Sequence, residues 1–197
     1  EDFAVIPQTS APTLSGSLGG TKTQATIDVA NMPHILGILT DLYSDPEMAI
    51  IREYSTNAMD AHVMSGQTAP IEVLLPTPLR STFEVTDYGL GLTANEVSEV
   101  YGSYGASTKR GTNDATGMLG LGSKSALTYT NMFTIRAVKG GVMCEVAIYR
   151  DDSNGVTIEV VDTKATNLPN QVRVIIPTSS SAEFSEKAAR FYSVWPK

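Results

Sequence analysis

Cysteine and histidine are scarce in this sequence of 197 residues, which contains one cysteine, Cys144, and two histidines, His34 and His62. A lone cysteine excludes an internal disulfide framework and any cysteine-rich metal site. Two histidines leave little room for a transition metal held by imidazole. The sequence has no apolar run close to the ~20 residues that a membrane-spanning helix needs, and no signal segment at its start. We therefore expect a cytoplasmic protein without a membrane segment.

Positive charge is also scarce, with 14 Lys and Arg residues against 21 Asp and Glu residues and a formal net charge of −7. Nonspecific nucleic-acid binding needs clustered Lys and Arg to contact phosphates, so we expect no direct nucleic-acid partner for this domain. Hydrophobic residues make up 42% of the chain and charged residues 18%. These fractions are ordinary for a folded domain and exclude global disorder.

Composition along the chain divides it into three regions. Residues 1–25 are rich in Ser, Thr, Gly and Pro, which predicts a flexible N-terminal arm. Residues 26–180 are predicted to form the globular domain. Residues 181–197 are predicted to form a C-terminal helix that leads to a downstream region missing from this chain.

Hydrophobic periodicity and capping residues predict the helices and strands of the domain. Asp45 as N-cap, Pro46 at the first position and Gly66 as the stop define the second helix. Predicted helices span residues 33–43, 46–65, 93–100, 122–130 and 182–192, and predicted strands span 71–75, 82–86, 132–138, 142–149, 156–161 and 172–176. Because helices cluster early and antiparallel strands late, we expect an α+β fold, a two-layer sandwich.

A polar stripe runs along the predicted helix 46–65, where Glu53, Asn57 and Asp60 are spaced i, i+4 and i+7. This spacing places the three side chains on one face of the helix. A carboxylate, a carboxamide and a second carboxylate on one face can orient a water molecule and bind a hard cation through oxygen. On spacing alone, a solvated polar face is the simpler interpretation.

A second motif follows the predicted strand 82–86, where Asp87 is succeeded by Gly89 and Gly91. A carboxylate buried at a strand end can accept a hydrogen bond from an exocyclic amine. The two glycines allow close approach of a flat base or a positive φ. Taken alone, a simple Asp-Tyr-Gly turn is the better explanation of this segment.

A third motif places Gly117, Gly120 and Gly122 just before a predicted helix. Backbone N–H groups at the start of a helix form a natural phosphate site. The glycine spacing is not that of a Walker A loop, and the segment does not follow a strand of a βαβ unit. The motif alone therefore does not identify a nucleotide site.

Taken together and in this order, the three motifs resemble those of the gyrase, Hsp90, histidine kinase and MutL (GHKL) superfamily of ATPases. The segment 42–47 is similar to the one that precedes the corresponding helix in Hsp90, and 106–109 resembles the lid segment of MutL-type members. The resemblance covers residues 26–177 and implies the Bergerat fold, a mixed, mostly antiparallel sheet covered by helices on one face. Within the superfamily, 51–62 is most similar to bacteriophage RIIA-type proteins, which implies the cytoplasm of a host bacterium.

The resemblance implies a role for each motif residue in binding ATP or ADP with Mg²⁺. Glu53 matches the catalytic general base, Asn57 the Mg²⁺ ligand and Asp60 the polar residue one turn further along the same wall. Asp87 matches the carboxylate that receives the adenine amino group. The function implied is slow, Mg²⁺-dependent ATP hydrolysis.

The remaining binding residues are implied by the same resemblance. Gly89 and Gly91 match the glycines beneath the base, and Lys109 and Lys124 are candidates for balancing phosphate charge. The residues that match the phosphate-binding lid are Gly117, Met118, Leu119, Gly120, Leu121 and Gly122. Closure of this lid on nucleotide is implied to control ATP-dependent homodimerisation or partner binding.

The sequence departs from the family pattern in two places, and these departures leave alternatives open. Many members have a Gly-Thr pair at a late strand, where this chain reads Leu-Pro-Asn-Gln-Val over 168–172. No domain that would supply a lysine to the γ-phosphate fits after Ile176, so hydrolysis is expected to be slow. The alternative is a nucleotide-binding interaction module without turnover. A histidine kinase would need a phosphoacceptor helix, and a topoisomerase or mismatch-repair subunit a DNA-handling domain.

Overall fold

The structure is a computed structural model in which residues 22–24, 44–102, 125–152 and 155–195 are described, the first of these ranges by its backbone only. The helices are α1 (Pro46–Ser65), α2 (Ala94–Gly102), α3 (Ala126–Tyr129) and α4 (Ser181–Tyr192). The strands are β1 (Lys22–Gln24), β2 (Glu72–Leu74), β3 (Thr82–Asp87), β4 (Met132–Lys139), β5 (Val142–Arg150), β6 (Val156–Ala165) and β7 (Gln171–Pro177). The predicted helix 33–43 lies outside the described residues.

Helix α1 begins and ends where the sequence predicts. The Asp45 side chain accepts the backbone N–H of Met48 at 3.1 Å, and Pro46 occupies the first turn, where no N–H donor is needed. At the other end Gly66 takes the left-handed conformation (φ 69°) and its N–H returns to the last turn of the helix. These local signals fix α1 independently of its packing.

Helix α2 is started by Thr93 and Glu96, which stand at capping-box spacing. Thr93 Oγ1 accepts the Glu96 backbone N–H at 3.3 Å, and Glu96 Oε2 accepts the Thr93 backbone N–H at 2.8 Å. The other Glu96 oxygen bonds Lys139 Nζ at 2.5 Å, which ties the helix start to the end of β4. These bonds together hold the pKa of Glu96 at about 2.

The seven strands form one sheet in the order β1-β6-β5-β4-β7-β3-β2. The sheet was expected to be mixed and mostly antiparallel, and every strand pair among the described residues is antiparallel. Strands β4, β5 and β6 follow one another as a meander, and Gly140 and Gly141 turn the first hairpin with φ of 60° and 78°. Strand β7, the last along the chain, lies between β4 and β3.

The sheet and the helices form two layers with the core between them, as the α+β prediction requires. Helix α1 packs on β3, α2 on β4 to β6 and α3 on β4. Alternate residues of the strands point into this layer, because side chains alternate between the two faces of a strand. Buried strand residues in the core include Phe83, Val85, Phe133, Ile135, Val146, Ile148, Ile158, Val174 and Ile176. Cys144 is 2% exposed and behaves as a small buried hydrophobic residue.

Strand β1 falls within the segment that was assigned to the N-terminal arm. Its backbone pairs antiparallel with β6, Thr23 lying opposite Ile158. Nothing local in the sequence marks this strand, since its partner lies far along the chain.

Helix α4 is held against the start of α1 by charge and hydrogen bonding. Lys187 Nζ lies 2.9 Å from Asp45 Oδ1 and 3.0 Å from Glu47 Oε2. At the far end of the contact the hydroxyls of Ser55 and Tyr192 are 2.6 Å apart. Among the described helices, none combines the length and the apolar character that crossing a membrane requires.

Candidate functional site

Asp87 is the buried acid at the end of β3. The residue is 7% exposed, and its Oδ1 accepts the backbone N–H of Gly89 at 3.0 Å. Burial raises the pKa of Asp87 to about 6, while the hydrogen bond from the Gly89 N–H acts in the opposite direction. The described bond uses Oδ1, so Oδ2 is the oxygen that can accept a hydrogen bond from a ligand.

Gly89 and Gly91 are required here for different reasons. At Gly91 the backbone has φ 68°, and an added Cβ would lie 1.9 Å from the carbonyl oxygen of Val138. At Gly89 an added Cβ would lie 3.0 Å from the carbonyl oxygen of Ala61 and 3.1 Å from Asp87 Oδ1. Gly91 therefore allows the loop to approach β4, and Gly89 allows it to approach α1.

Glu53, Asn57 and Asp60 form one margin of α1, where all three are partly buried. The buried residues Tyr54 and Ala58 lie between them along the helix and face the core. Partial burial at the edge of the core does not fit the simpler interpretation of a fully solvated face. The stripe instead forms a polar wall at the rim of the helix layer.

Glu53 forms an ion pair with its neighbour Arg52. Its Oε1 accepts hydrogen bonds from Arg52 Nε at 3.2 Å and Nη2 at 3.0 Å. The Arg52 side chain is 52% exposed and that of Glu53 is 16% exposed. A pair with one solvent-exposed partner is a weak restraint, so Glu53 can exchange this contact for another.

The first two motifs meet at the end of α1. Ala61, which follows Asp60 directly, touches Gly89, and His62 Nε2 accepts the backbone N–H of Tyr88 at 2.8 Å. These contacts hold the C-terminal part of α1 against the loop that begins at Asp87.

The glycines of the third motif and the two candidate lysines lie outside the described residues. The described chain resumes at Ser125, which is fully buried at the start of α3. The backbone N–H of Ala126 donates to Tyr54 Oη at 3.4 Å, and burial raises the pKa of Tyr54 well above its ordinary value. The segment that follows the third motif is thereby attached to α1 one residue from Glu53.

The described residues offer few oxygen ligands to a metal ion. Within the described ranges, no three His, Cys, Asp or Glu side chains cluster as a metal site. A hard cation such as Mg²⁺ often takes one or two protein oxygens and completes its shell with phosphate and water. Asn57 on the partly buried wall fits that pattern.

His62 and Gln67 are the residues that the sequence reasoning did not assign to the site. His62 was expected to be a surface or hydrogen-bonded polar residue, and it is 3% exposed with its Nε2 bonded to Tyr88. Gln67 Nε2 donates to the carbonyl oxygen of Tyr88 at 3.1 Å. The signal available for His62 was its spacing from Ser55 and Ala58, which places it on the buried side of α1.

A groove of about 490 Å³ lies along the opposite margin of α1. Its lining is mostly apolar and includes Met59, Val63, Ile71 and Trp195. Of the six predicted site residues that the structure describes, none lines this groove. His62 and Gln67 do line the groove, so it adjoins the side chains that contact the Tyr88 backbone.

Comparison with solved structures identifies the fold. The crystal structure of the ATPase region of Saccharomyces cerevisiae topoisomerase II matches 70% of this chain with a TM-score of 0.56 and 16% identity. The same region bound to ICRF-187 (dexrazoxane) matches 66% of the chain with a TM-score of 0.55 and 16% identity. The chain spans 39% and 37% of the lengths of these two structures. No protein-family model and no curated protein sequence matches the chain.

At this identity the likeness shows the fold alone. The chain shares the α+β fold of the topoisomerase II ATPase region, and an α+β fold is the class that the sequence predicts. The helices lie over one face of an antiparallel sheet, and the second motif stands at the end of β3.

Proposed function

We propose that this chain is an adenine-nucleotide-binding domain that hydrolyses ATP slowly with Mg²⁺. The observation that carries the proposal is Asp87, a buried carboxyl group at a strand end with one oxygen bonded to Gly89. Burying an ionisable group without an opposite charge is unfavourable, and such groups concentrate at functional sites. The likeness to topoisomerase II ATPase regions supports the same assignment at the level of the fold.

Base recognition follows from the chemistry of Asp87. When ionised, its carboxylate only accepts hydrogen bonds, so it favours a base edge that presents an amino group. Adenine presents its exocyclic amine, whereas guanine presents a carbonyl oxygen at the corresponding position and would repel the carboxylate. Gly91 keeps the loop against Val138, which holds Asp87 and Gly89 in a fixed frame.

The α1 wall is proposed to serve the phosphate end of the nucleotide. Asn57 would provide an amide oxygen to Mg²⁺, which when bound neutralises phosphate charge. Glu53, one turn earlier, would accept the proton of the attacking water. Asp60 would continue the polar wall towards the base. The lid segment, with Lys109 and Lys124, is proposed to cover the phosphates and to couple nucleotide to dimer or partner contacts.

The second candidate function is nucleotide binding without turnover. The observation that favours it is the pairing of Glu53 Oε1 with Arg52, since a base engaged by a cation is less available to a water proton. The pair's exposure argues that it opens easily, and so we keep hydrolysis as the leading proposal. The RIIA-type relationship, the phage host and the cytoplasmic location stay predictions.

Calorimetry of ATP and ADP, with and without Mg²⁺, tests nucleotide binding. We expect saturable binding by the intact chain and its loss in Asp87→Asn, which replaces an acceptor by an amide that also donates. Asn57→Ala should weaken binding only when Mg²⁺ is present. Asp162→Asn, on an exposed part of β6, is the matched control and should bind as the wild type does. Equal binding by Asp87→Asn and by wild type would overturn the assignment of the base site.

Turnover separates the two candidate functions. If Glu53 is the base, Glu53→Gln should lower the rate of phosphate release by about 100-fold or more while leaving ATP affinity within a few-fold. Glu186→Gln, on an exposed face of α4, provides the control. Tight ATP binding without phosphate release above background by the wild type would favour the interaction module.

A further inference from the structure

Tyr88 lies between the acid and the first glycine of the second motif. Both polar groups of its backbone are bonded to side chains, one near the end of α1 and one just after it. Its N–H donates to His62 Nε2 at 2.8 Å. Its carbonyl oxygen accepts from Gln67 Nε2 at 3.1 Å. Both partners are separated from Tyr88 by a long stretch of chain, so the bonds are tertiary contacts rather than turn geometry.

His62 is itself held in place. It is 3% exposed, and its ring lies 6.4 Å from the Tyr88 ring, measured between centroids. Accepting at Nε2 requires the neutral ring with its proton on Nδ1, an assignment that follows from the hydrogen bond. The backbone carbonyl of His62 also accepts the N–H of Gln67 at 2.9 Å, which joins the two partners.

The orientation of the Gln67 side chain is fixed by its amide oxygen. Its Oε1 accepts the backbone N–H groups of Thr68 at 2.9 Å and Ala69 at 3.0 Å. This arrangement turns Nε2 towards Tyr88 and leaves the amide little freedom to rotate. A third restraint acts at the far end of the Tyr88 side chain, where the hydroxyl donates to Glu72 Oε2 at 2.8 Å.

The position of this one residue sets the positions of its two neighbours. Asp87 and Gly89 flank Tyr88, and they are themselves joined by the bond from Gly89 N–H to Asp87 Oδ1. A displacement of the Tyr88 backbone would move the carboxylate and the glycine together, because peptide planes are rigid. Small displacements matter to recognition, since the strength of a hydrogen bond falls steeply with poor alignment.

The geometry points to His62 and Gln67 as positioning residues for base recognition: together they clamp the Tyr88 backbone and thereby aim the Asp87 carboxylate. This inference rests on the proposed function and deepens it, because it assigns base affinity and base selectivity to residues that need not touch the nucleotide. A merely structural role at the end of α1 would lower stability and leave selectivity unchanged.

Substitution of His62 tests the clamp. His62→Leu removes the acceptor, whereas His62→Gln can place an amide oxygen where Nε2 stands. We expect ADP affinity to fall about tenfold in His62→Leu and to recover largely in His62→Gln. The preference for ADP over GDP should shrink in parallel with the loss, measured by competition calorimetry at a temperature where both variants are folded.

Substitution of Gln67 tests the other half. Gln67→Glu keeps an oxygen for Thr68 and Ala69 but replaces the donor by an acceptor that faces the Tyr88 carbonyl. We expect the same loss of selectivity as in His62→Leu. Glu99→Gln, at an exposed position of α2, is the control for a change between these two residue types. Unchanged selectivity in both His62→Leu and Gln67→Glu would overturn the proposal.

Amide hydrogen exchange of Tyr88 separates failure of the clamp from failure of the proposed function. Without nucleotide, exchange at this N–H should be at least about tenfold faster in His62→Leu than in wild type and near wild type in His62→Gln. If wild type binds no nucleotide while exchange follows this pattern, the proposed function fails and the clamp is a purely structural contact. If exchange is unaffected by His62→Leu, the clamp itself is wrong.

Discussion

Burial of Asp87 affects stability and binding in opposite directions. A carboxyl group removed from water is easier to protonate, and the pKa of Asp87 is accordingly raised to about 6 from an ordinary 3.8. The neutral form suits the folded protein without ligand, whereas recognition of an amine needs the charged form. Under the proposed function, Asp87 therefore serves recognition at the expense of folding stability.

Asp87→Asn is expected to stabilise the protein in a pH-dependent way. Because the folded state holds the Asp87 proton more tightly than the unfolded state, the stabilising contribution of the neutral form is present below pH ~4 and is lost as the pH rises through ~6. At pH 8 the variant should be more stable than wild type by up to ~3 kcal/mol, with little difference at pH 4. Urea unfolding at the two pH values measures this.

Two outcomes would contradict that expectation. A gain in stability that is equal at pH 4 and pH 8 would show that burial of charge is not its cause. A loss of stability at pH 8 would show that the hydrogen bond from Gly89 N–H stabilises the carboxylate by more than burial of its charge destabilises it. In wild type, ADP affinity should also fall as the pH drops below about 6, because protonation removes the acceptor.

Gly91→Ala is expected to be far more damaging than Gly66→Ala. Both glycines have a left-handed backbone, with φ of 68° and 69°, so both substitutions cost about 1–2 kcal/mol of backbone strain. Only at Gly91 would the new methyl group overlap Val138, whereas nothing lies within 4 Å at Gly66. We expect a loss of at least ~3 kcal/mol for Gly91→Ala, measured by urea unfolding. Equal losses would mean that the loop moves away from β4 without penalty.

At the scale of elements, Lys187 joins α4 to the start of α1, in addition to the hydrogen bond between Ser55 and Tyr192. Lys187 Nζ lies within 3.1 Å of oxygens of Asp45, Glu47 and Glu183. Burial acts against its charge, but the pairing of its ammonium group with these carboxylates outweighs that effect and raises the pKa of Lys187 above the ordinary value. Glu47 is 7% exposed, so its carboxylate depends on this partner for charge compensation.

Lys187→Met should therefore destabilise the protein by about 2 kcal/mol, since it leaves a buried carboxylate without its cation. The control is Lys164→Met, because Lys164 pairs with Asp162 at 3.4 Å in an exposed position. Exposed pairs contribute roughly 0–1 kcal/mol. Thermal unfolding of both variants measures the difference, and similar small losses would show that α4 is held by its apolar face alone.

Elements with local signals could be predicted from the sequence, and those that depend on distant partners could not. The bounds of α1 follow from Asp45, Pro46 and Gly66, each of which acts on its nearest neighbours. Strand β1 was missed, because its only described pairing is with β6. Strand β6 extends four residues past its predicted end at Val161, beyond a register shift opposite Glu145 and Val146, where the residues are polar.

The candidate site likewise has residues that could be predicted from the sequence and contacts that could not. Asp87, Gly89 and Gly91 form a short motif whose residue types indicate their chemistry, and they could be named from the sequence. The bonds of His62 and Gln67 to Tyr88 depend on the packing of α1 against the end of β3. No spacing in the sequence shows which backbone group a side chain will meet across the fold.

At the scale of the whole molecule, net charge works against the proposed ligand. The chain carries a formal charge of −7, and a nucleotide is also an anion. Screening limits this repulsion to about 8 Å at physiological ionic strength. Under the proposed function, recognition must therefore come from short-range contacts within the site, such as hydrogen bonds from backbone N–H groups, and not from long-range attraction.

The place of β7 in the sheet has a consequence for synthesis on the ribosome. Asp87 is paired with Val172, which is made long after it, and until then β3 has only the three-residue β2 as a described neighbour. A growing chain adds about 5–20 residues per second, so β2 and β3 remain without β7 for several seconds. During that time the meander of β4 to β6 can already assemble. Among the described strands, only β7 joins the two parts within the sheet, and a chain truncated before Gln171 should therefore carry the second motif without forming its site.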